Sequence, residues 1–231
     1  WVRFKKGCKY NYAAKNMKIS ILISSNNHPI NPYIREWTKE KNSNHIIDIF
    51  NSSNEIIGGD ILFLISCEEI IPKIIRDKFK KTLIIHASDL PFGRGWNPHI
   101  WEIINGASEI TFSLLEAEDN VDSGDIWTKS KVFIPKTTLY DEINYLIFEE
   151  EIRLMNFAIS NFNNIKPVRQ DTRGSSYWPK RTPKDSEIDP NKNLADQFDL
   201  IRVCDVNRFP AFFYKNGQKY KISISQLPID K

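Results

Sequence analysis

Two hydrophobic periods alternate along the chain. Short, nearly unbroken apolar runs, "KISILIS" (18–24), "HIIDIF" (45–50), "DILFLIS" (60–66) and "TLIIH" (82–86), read as strands covered on both faces, since a strand with one wet face would alternate. Between them the period changes. In "NPYIREWTKEK" (31–41), Asn31 stands at a cap, Pro32 at the first helical position, and Tyr33, Ile34 and Trp37 at helical spacing; "PKIIRDKFK" (72–80) predicts a second helix. This alternation predicts an α/β fold: a Rossmann-like, predominantly parallel sheet with helices on both faces. In such sheets ligands bind outside the carboxyl ends of the strands, and His86 stands at one of those ends.

The pattern continues with strands at "EITFSLLEA" (109–117) and "DIWTKSKVFI" (125–134), joined by the acidic loop "EDNVDSG" (118–124). A long helix over about 138–163, with Leu139, Ile143, Leu146 and Ile147 on one face, closes the main unit. Periodicity then stops: residues 166–193 are rich in Pro, Gly, Ser and charge, and predict a linker crossing the surface. A short helix, "LADQFDLIRVC", and a hairpin, "AFFYKNGQKYKISIS", follow, the latter turning at Asn216-Gly217. Phe212 and Tyr214 alternate on one strand, and Tyr220, Ile222 and Ile224 on the other. The reading is one apolar hairpin face that a main domain or a second subunit must cover. The expected organisation is therefore an N-terminal extension (1–16), a main domain (17–165), a linker (166–193) and a small helix-and-hairpin module (194–231).

Composition narrows the function classes. With 231 residues, 41% hydrophobic content and no apolar run near the length of a membrane helix, the chain reads as a soluble protein of one sizeable core. A net charge of +3 without a long basic tract argues against a nucleic-acid partner. Cys8, Cys67 and Cys204 match no metal spacing and read as free thiols in a reducing, cytoplasmic setting. Residues 1–16 are basic and aromatic but lack a signal peptide's apolar centre; Met17 reads as a natural start, with a functional basic tail as the alternative. Gly58-Gly59 precedes a strand instead of following one, so no dinucleotide fingerprint is supported. His28, His45 and His99 have no acidic or cysteine partners at ligand spacing, and no metal is expected.

The turn "HASDLPFGRGWNPHIW" (86–101) followed by "VDSGDIW" (121–127) resembles the formyltransferases that use N10-formyltetrahydrofolate, a family that includes methionyl-tRNA formyltransferase and N-formyltransferases of nucleotide-linked amino sugars. The segment "YWPKRTPKDSEIDPNKNLADQFDLIRV" (177–203) is similar to the one that follows the catalytic domain in the sugar enzymes. The resemblance implies His86 and Asp122 as catalytic residues. Formyl transfer needs an unprotonated amine, a polarised carbonyl and a moved proton, and a histidine, with an ordinary pKa of about 6.5, suits that task. Ser88, Leu90 and Pro91 resemble one pterin-contacting loop, residues 66–72 with Ile70 and Ile71 fall at another, and Asn120 joins them as a binding residue for the folate co-substrate. Trp96, Asn97, Tyr177, Lys180 and Arg181 are expected on the acceptor, the two cations through charge-assisted bonds to its phosphates.

Each residue has a plainer role open to it. Asp122 can cap a turn, Asp125 can hold the loop, Ser88 and Asp89 can form the turn, and the cations can belong to a solvated linker. One departure is clear: the family carries an asparagine two residues before the histidine, and here that position is Ile84. Thr82 on the same strand face, Asn97 on the facing turn, or a backbone N–H are the possible replacements. The implied acceptor is a nucleotide-linked 4-amino-4,6-dideoxyhexose for bacterial surface polysaccharide (O-antigen). Its nucleotide (dTDP, GDP or UDP) and the 3-amino isomer stay open. A tRNA or another amine such as glycinamide ribotide is the alternative, and an inactive binding relative is a third. A homodimer, without membrane contact, is expected.

Overall fold

The structure is a computed structural model that describes residues 16–171 and 173–228; apart from Asn16, the predicted N-terminal extension lies outside them. Six strands form one sheet in the order β2-β1-β3-β4-β6-β7: β1 (Lys18–Leu22), β2 (Ile46–Phe50), β3 (Gly59–Leu64), β4 (Phe79–His86), β6 (Glu109–Glu116) and β7 (Ile126–Phe133). The first four run parallel, and β6 and β7 are antiparallel additions. This is the expected mainly parallel α/β class.

Alternation within the strands sends two apolar sets to opposite faces. Ile19, Ile21, Ile61, Phe63 and Leu83 join one core with Ile34 and Trp37 of α1 (Asn31–Lys41), Ile100 and Ile103 of α3 (Pro98–Ile104), and Ile143, Ile147, Leu154 and Met155 of α4 (Tyr140–Asn161). Leu22, Leu62 and Leu64 pack with Ile56, Ile71 and Phe79 on the other face. Asn31 does not cap α1 as expected. Its buried amide donates to the carbonyls of Ser25, Asn26 and His28, tying down the loop after β1.

The predicted 72–80 helix is much shorter: α2 spans Lys73–Arg76. Phe79 is buried and pairs with Gly59, while Gly59 N–H donates to the Lys78 carbonyl at 3.1 Å, so the β3–β4 ladder takes residues that local pattern assigned to the helix. The linker region is bound along its length. Val168 bridges Ile126, β8 (Tyr177–Trp178) pairs with β5 (Arg94–Gly95), and a 3-10 turn follows at Pro183–Ser186.

The C-terminal part is α5 (Leu194–Arg202) and a hairpin of β9 (Ala211–Lys215) and β10 (Gln218–Ile222), turning at Asn216-Gly217 with φ of 51° and 79°. Its register corrects the single apolar face. Tyr220 opposes Phe213 and Ile222 opposes Ala211, whereas Phe212 and Tyr214 oppose Lys221 and Lys219. The two apolar sets therefore lie on opposite faces, one packing on Ile188, Leu200, Ile201 and Cys204. On the other, the Lys219 ammonium lies 3.6 Å from the centre of the Phe212 ring.

Candidate functional site

β4 ends at His86, which pairs with Ser113 of β6. Beyond it the chain is fixed by its own polar groups. The Ser113 hydroxyl donates to the Ser88 carbonyl and the Ser88 hydroxyl to the Phe92 carbonyl, each at 2.8 Å; the Lys129 ammonium donates to the Leu90 carbonyl at 2.6 Å. Gly93, at φ 70°, returns its carbonyl to His86 Nε2 at 2.9 Å. A carbonyl only accepts, so Nε2 carries a proton, and in the neutral ring it is Nδ1 that holds the lone pair. Nδ1 faces Asp122 Oδ2 at 3.6 Å, and both side chains are buried.

Asp122 is held from two sides. Its Oδ2 accepts from the Gly95 N–H at 2.8 Å, and its carbonyl accepts from the Gln170 amide at 3.0 Å, the same nitrogen donating to the Gly124 carbonyl at 2.7 Å. The Gln170 oxygen in turn accepts from Arg94 at 3.0 Å. Asp122 itself sits at φ 50°, a left-handed conformation that such bonds must maintain. Gly95 is a tight point: a Cβ there would lie 2.5 Å from the Trp178 carbonyl and 2.6 Å from the Tyr177 ring.

His86 and Asp122 line a cavity of about 650 Å³ beyond the carboxyl ends of β1, β3 and β4. Of the sequence-predicted residues, Ile70, Ile71, Asn120, Trp96, Asn97, Tyr177, Lys180 and Arg181 also reach its wall. Ser88, Leu90 and Pro91 do not: Ser88 and Leu90 are buried in the turn, where the Ser88 hydroxyl is used internally. Ile84 lines the cavity. Of its possible replacements, Asn97 does so as well, while Thr82 lies off the wall with its hydroxyl buried and unpartnered.

The cations arrive partly engaged. Lys180 donates to Glu68 at 2.8 Å and lies 4.2 Å over the Trp96 ring; Arg181 donates to the Asp185 carbonyl at 2.9 Å and stands over Trp101. Trp101 stacks on Trp178 at 5.7 Å.

Sequence reading missed three groups on or behind this wall. Gln170 lay in a segment without periodicity. Glu151 sits on the buried face of α4 among Ile147, Phe148, Leu154 and Met155, and a carboxylate at that helical spacing was a visible signal. His99 follows Asn97 by two residues. Burial raises Glu151 to about 8, and lowers His28 and His99 to about 4, with Arg208 adding to the effect on His28 and His86 to that on His99. No group of three or more His, Cys, Asp or Glu side chains able to hold a metal ion occurs among the described residues.

Residues 50–159 match the family model described as formyl transferase. A curated methionyl-tRNA formyltransferase from Rickettsia massiliae (strain Mtu5) is 28% identical over 188 residues, covering 80% of this chain and 60% of that protein. The chain thus spans about 60% of the length of the curated relatives it matches. Among solved structures, methionyl-tRNA formyltransferase from Clostridium thermocellum aligns with a TM-score of 0.78 at 23% identity, covering 92% of this chain and 94% of that one. A sugar N-formyltransferase from Shewanella sp FDAARGOS_354 aligns with a TM-score of 0.69 at 18% identity, covering 93% and 99%. These likenesses establish the fold.

Proposed function

We propose, for a chain whose residues 50–159 form a formyl transferase domain, that it moves a formyl group from N10-formyltetrahydrofolate to the amine of a nucleotide-linked 4-amino-4,6-dideoxyhexose used for surface polysaccharide. The observation that carries this reading is the His86–Asp122 pair on the cavity wall, its tautomer set by the Gly93 carbonyl. With Nε2–H engaged, Nδ1 is the atom free to take the proton that the amine loses as its nitrogen bonds to the formyl carbon. The resulting imidazolium gains its counter-charge from Asp122, already oriented by Gly95 N–H. The same proton is available to the departing nitrogen of the donor when the tetrahedral intermediate collapses.

The folate co-substrate supplies the formyl carbon. Ile70, 71% exposed, and Val121, 43% exposed, stand at the cavity wall with Ile71, Ile84 and Ala117, an apolar surface suited to a flat pterin ring, with Asn120 beside it. Asn97 is our choice of donor to the oxyanion in place of the asparagine that Ile84 displaces: its side chain makes no cap bond and lines the cavity. The sugar acceptor is supported by the strap carrying Tyr177, Lys180 and Arg181 along the cavity, and by the sugar N-formyltransferase among the structural relatives. The curated relatives favour a second reading, with methionyl-tRNA as acceptor. Ile84 favours a third, a binding protein without turnover. Homodimerisation through the hairpin belongs to the proposal, supported by the half-exposed Tyr214 on the face turned away from Ile201.

The test incubates the protein with N10-formyltetrahydrofolate and separate panels of dTDP-, GDP- and UDP-linked amino sugars and of charged initiator tRNA, reading product masses. One formyl group gained on a sugar supports the proposal. Formylation of the tRNA alone moves the chain to the second reading, and binding without mass change to the third.

A further inference from the structure

Part of the cavity wall is built from polar groups that the chemistry at His86 does not use. Tyr140, Asn144, Ile147, Phe148 and Glu151 share the face of α4 that meets the cavity, with His99 of α3 and His28 of the β1–α1 loop on neighbouring elements. Glu151 is 9% exposed, and its Oε2 is fully buried without a hydrogen-bond partner. Among the described residues no cation answers it: Arg208 pairs with Asp205 at 2.5 Å and donates to the Tyr140 hydroxyl at 2.9 Å. His99 Nδ1 is likewise buried and unpartnered. His28 Nδ1 accepts the Ile30 N–H at 3.3 Å, which places its proton on Nε2.

An unsatisfied buried polar group costs about 1–3 kcal/mol, so uncommitted groups gathered on one wall imply something that satisfies them. Their charge states narrow what it is. With Glu151 raised to about 8 and both histidines lowered to about 4, these three groups are uncharged at neutral pH and offer donors and acceptors together. A phosphate or carboxylate placed here would have to share Arg208 with Asp205, which already pairs with it. Hydroxyl groups, each a donor and an acceptor, match the wall, whereas Lys180 and Arg181 on the strap suit the charged part of the same molecule.

We propose that Glu151, His99 and His28 form a hydroxyl-recognising subsite that holds the sugar ring of the acceptor, with Glu151 as its specificity-determining residue. This rests on the amino-sugar reading above and says which wall recognises the hexose. The carboxyl hydrogen-bonds ring hydroxyls as donor and acceptor. A glutamine in its place retains both capacities, and a leucine retains neither.

The experiment measures binding by calorimetry, without folate, of dTDP-, GDP- and UDP-linked 4-amino-4,6-dideoxyhexoses of gluco, galacto and manno configuration and of each bare nucleotide, to the wild-type chain, Glu151→Gln and Glu151→Leu. The best-bound sugar nucleotide is expected to lose about tenfold or more in affinity with Glu151→Leu and less than about threefold with Glu151→Gln at pH 7, its bare nucleotide being unaffected in both. Unchanged bare-nucleotide affinity shows that the variants keep their fold. Equal affinity of wild type and Glu151→Leu for the sugar nucleotide overturns the subsite, as does an equal loss for sugar nucleotide and bare nucleotide. Failure of the wild type to bind any sugar nucleotide overturns it together with the amino-sugar reading. The selective loss in a protein that transfers no formyl group upholds the subsite and refutes only the transfer.

Discussion

Gln170→Leu isolates the support behind the proposed catalytic pair, because leucine fills a similar volume and makes none of the amide's bonds. The wild-type side chain is 7% exposed, donates to the Asp122 and Gly124 carbonyls and accepts from Arg94. Substitution leaves two carbonyls and a guanidinium N–H without this partner, each costing about 1–3 kcal/mol where water cannot replace it. Arg94 is half-buried and can turn to solvent, so the two carbonyls dominate and the expected loss is about 2–6 kcal/mol. That is a large part of the roughly 5–15 kcal/mol available to a folded domain. The same bonds hold Asp122 at its left-handed φ, so its carboxylate should move away from His86 Nδ1. Urea unfolding reads the stability, and turnover at saturating donor and acceptor reads the second effect, expected at tenfold or more with KM values changed far less. A variant within about 0.5 kcal/mol of wild type and within twofold in turnover would refute this account of Gln170.

His86→Ala and Asp122→Ala should each lower turnover by about 10²–10⁴-fold with unchanged melting cooperativity, and near-normal turnover in either removes its assigned role. Gly95→Ala should be more damaging than its single methyl suggests, because the Cβ meets the Trp178 carbonyl at 2.5 Å and φ is 94°; stability and turnover close to wild type would contradict the crowding. Stability should fall toward acid pH and again toward alkaline pH. The neutral histidines His28 and His99 contribute stability that is lost as pH falls from about 6.5 to 4, while Glu151 and Glu102 favour their protonated forms and lose their contributions as pH rises from about 4.5 to 8 and from about 4.5 to 7. Glu151→Gln should flatten the remaining fall between about pH 7 and 8 in urea titrations, and an unaltered slope there refutes the assignment. Removing the chain from Pro210 onward should yield a monomer by sedimentation; a dimer after truncation would take the hairpin out of the interface.

The sequence by itself determined the elements whose signal lies within a few neighbouring residues. Unbroken apolar runs became β1 to β4, the helical spacing of Ile143 and Ile147 became α4, and Asn216-Gly217 became the turn, because backbone preference and burial period act locally. The placement of His86 at a strand end was legible in the same way. Tertiary structure decided what depends on partners far along the chain. Phe79 belongs to a strand because Gly59 lies beside it, and Tyr220 faces away from Phe212 because register, not alternation, assigns faces across two strands. Asp122 depends on Gln170, 48 residues away, and Gln170 on Arg94, 76 residues away, which no local period records. Glu151 lay in plain view on an apolar helix face, but only the packing of α4 beside α3 and the β1–α1 loop turned that misfit into the wall of a cavity, since burial is a property of the assembled sheet and helices.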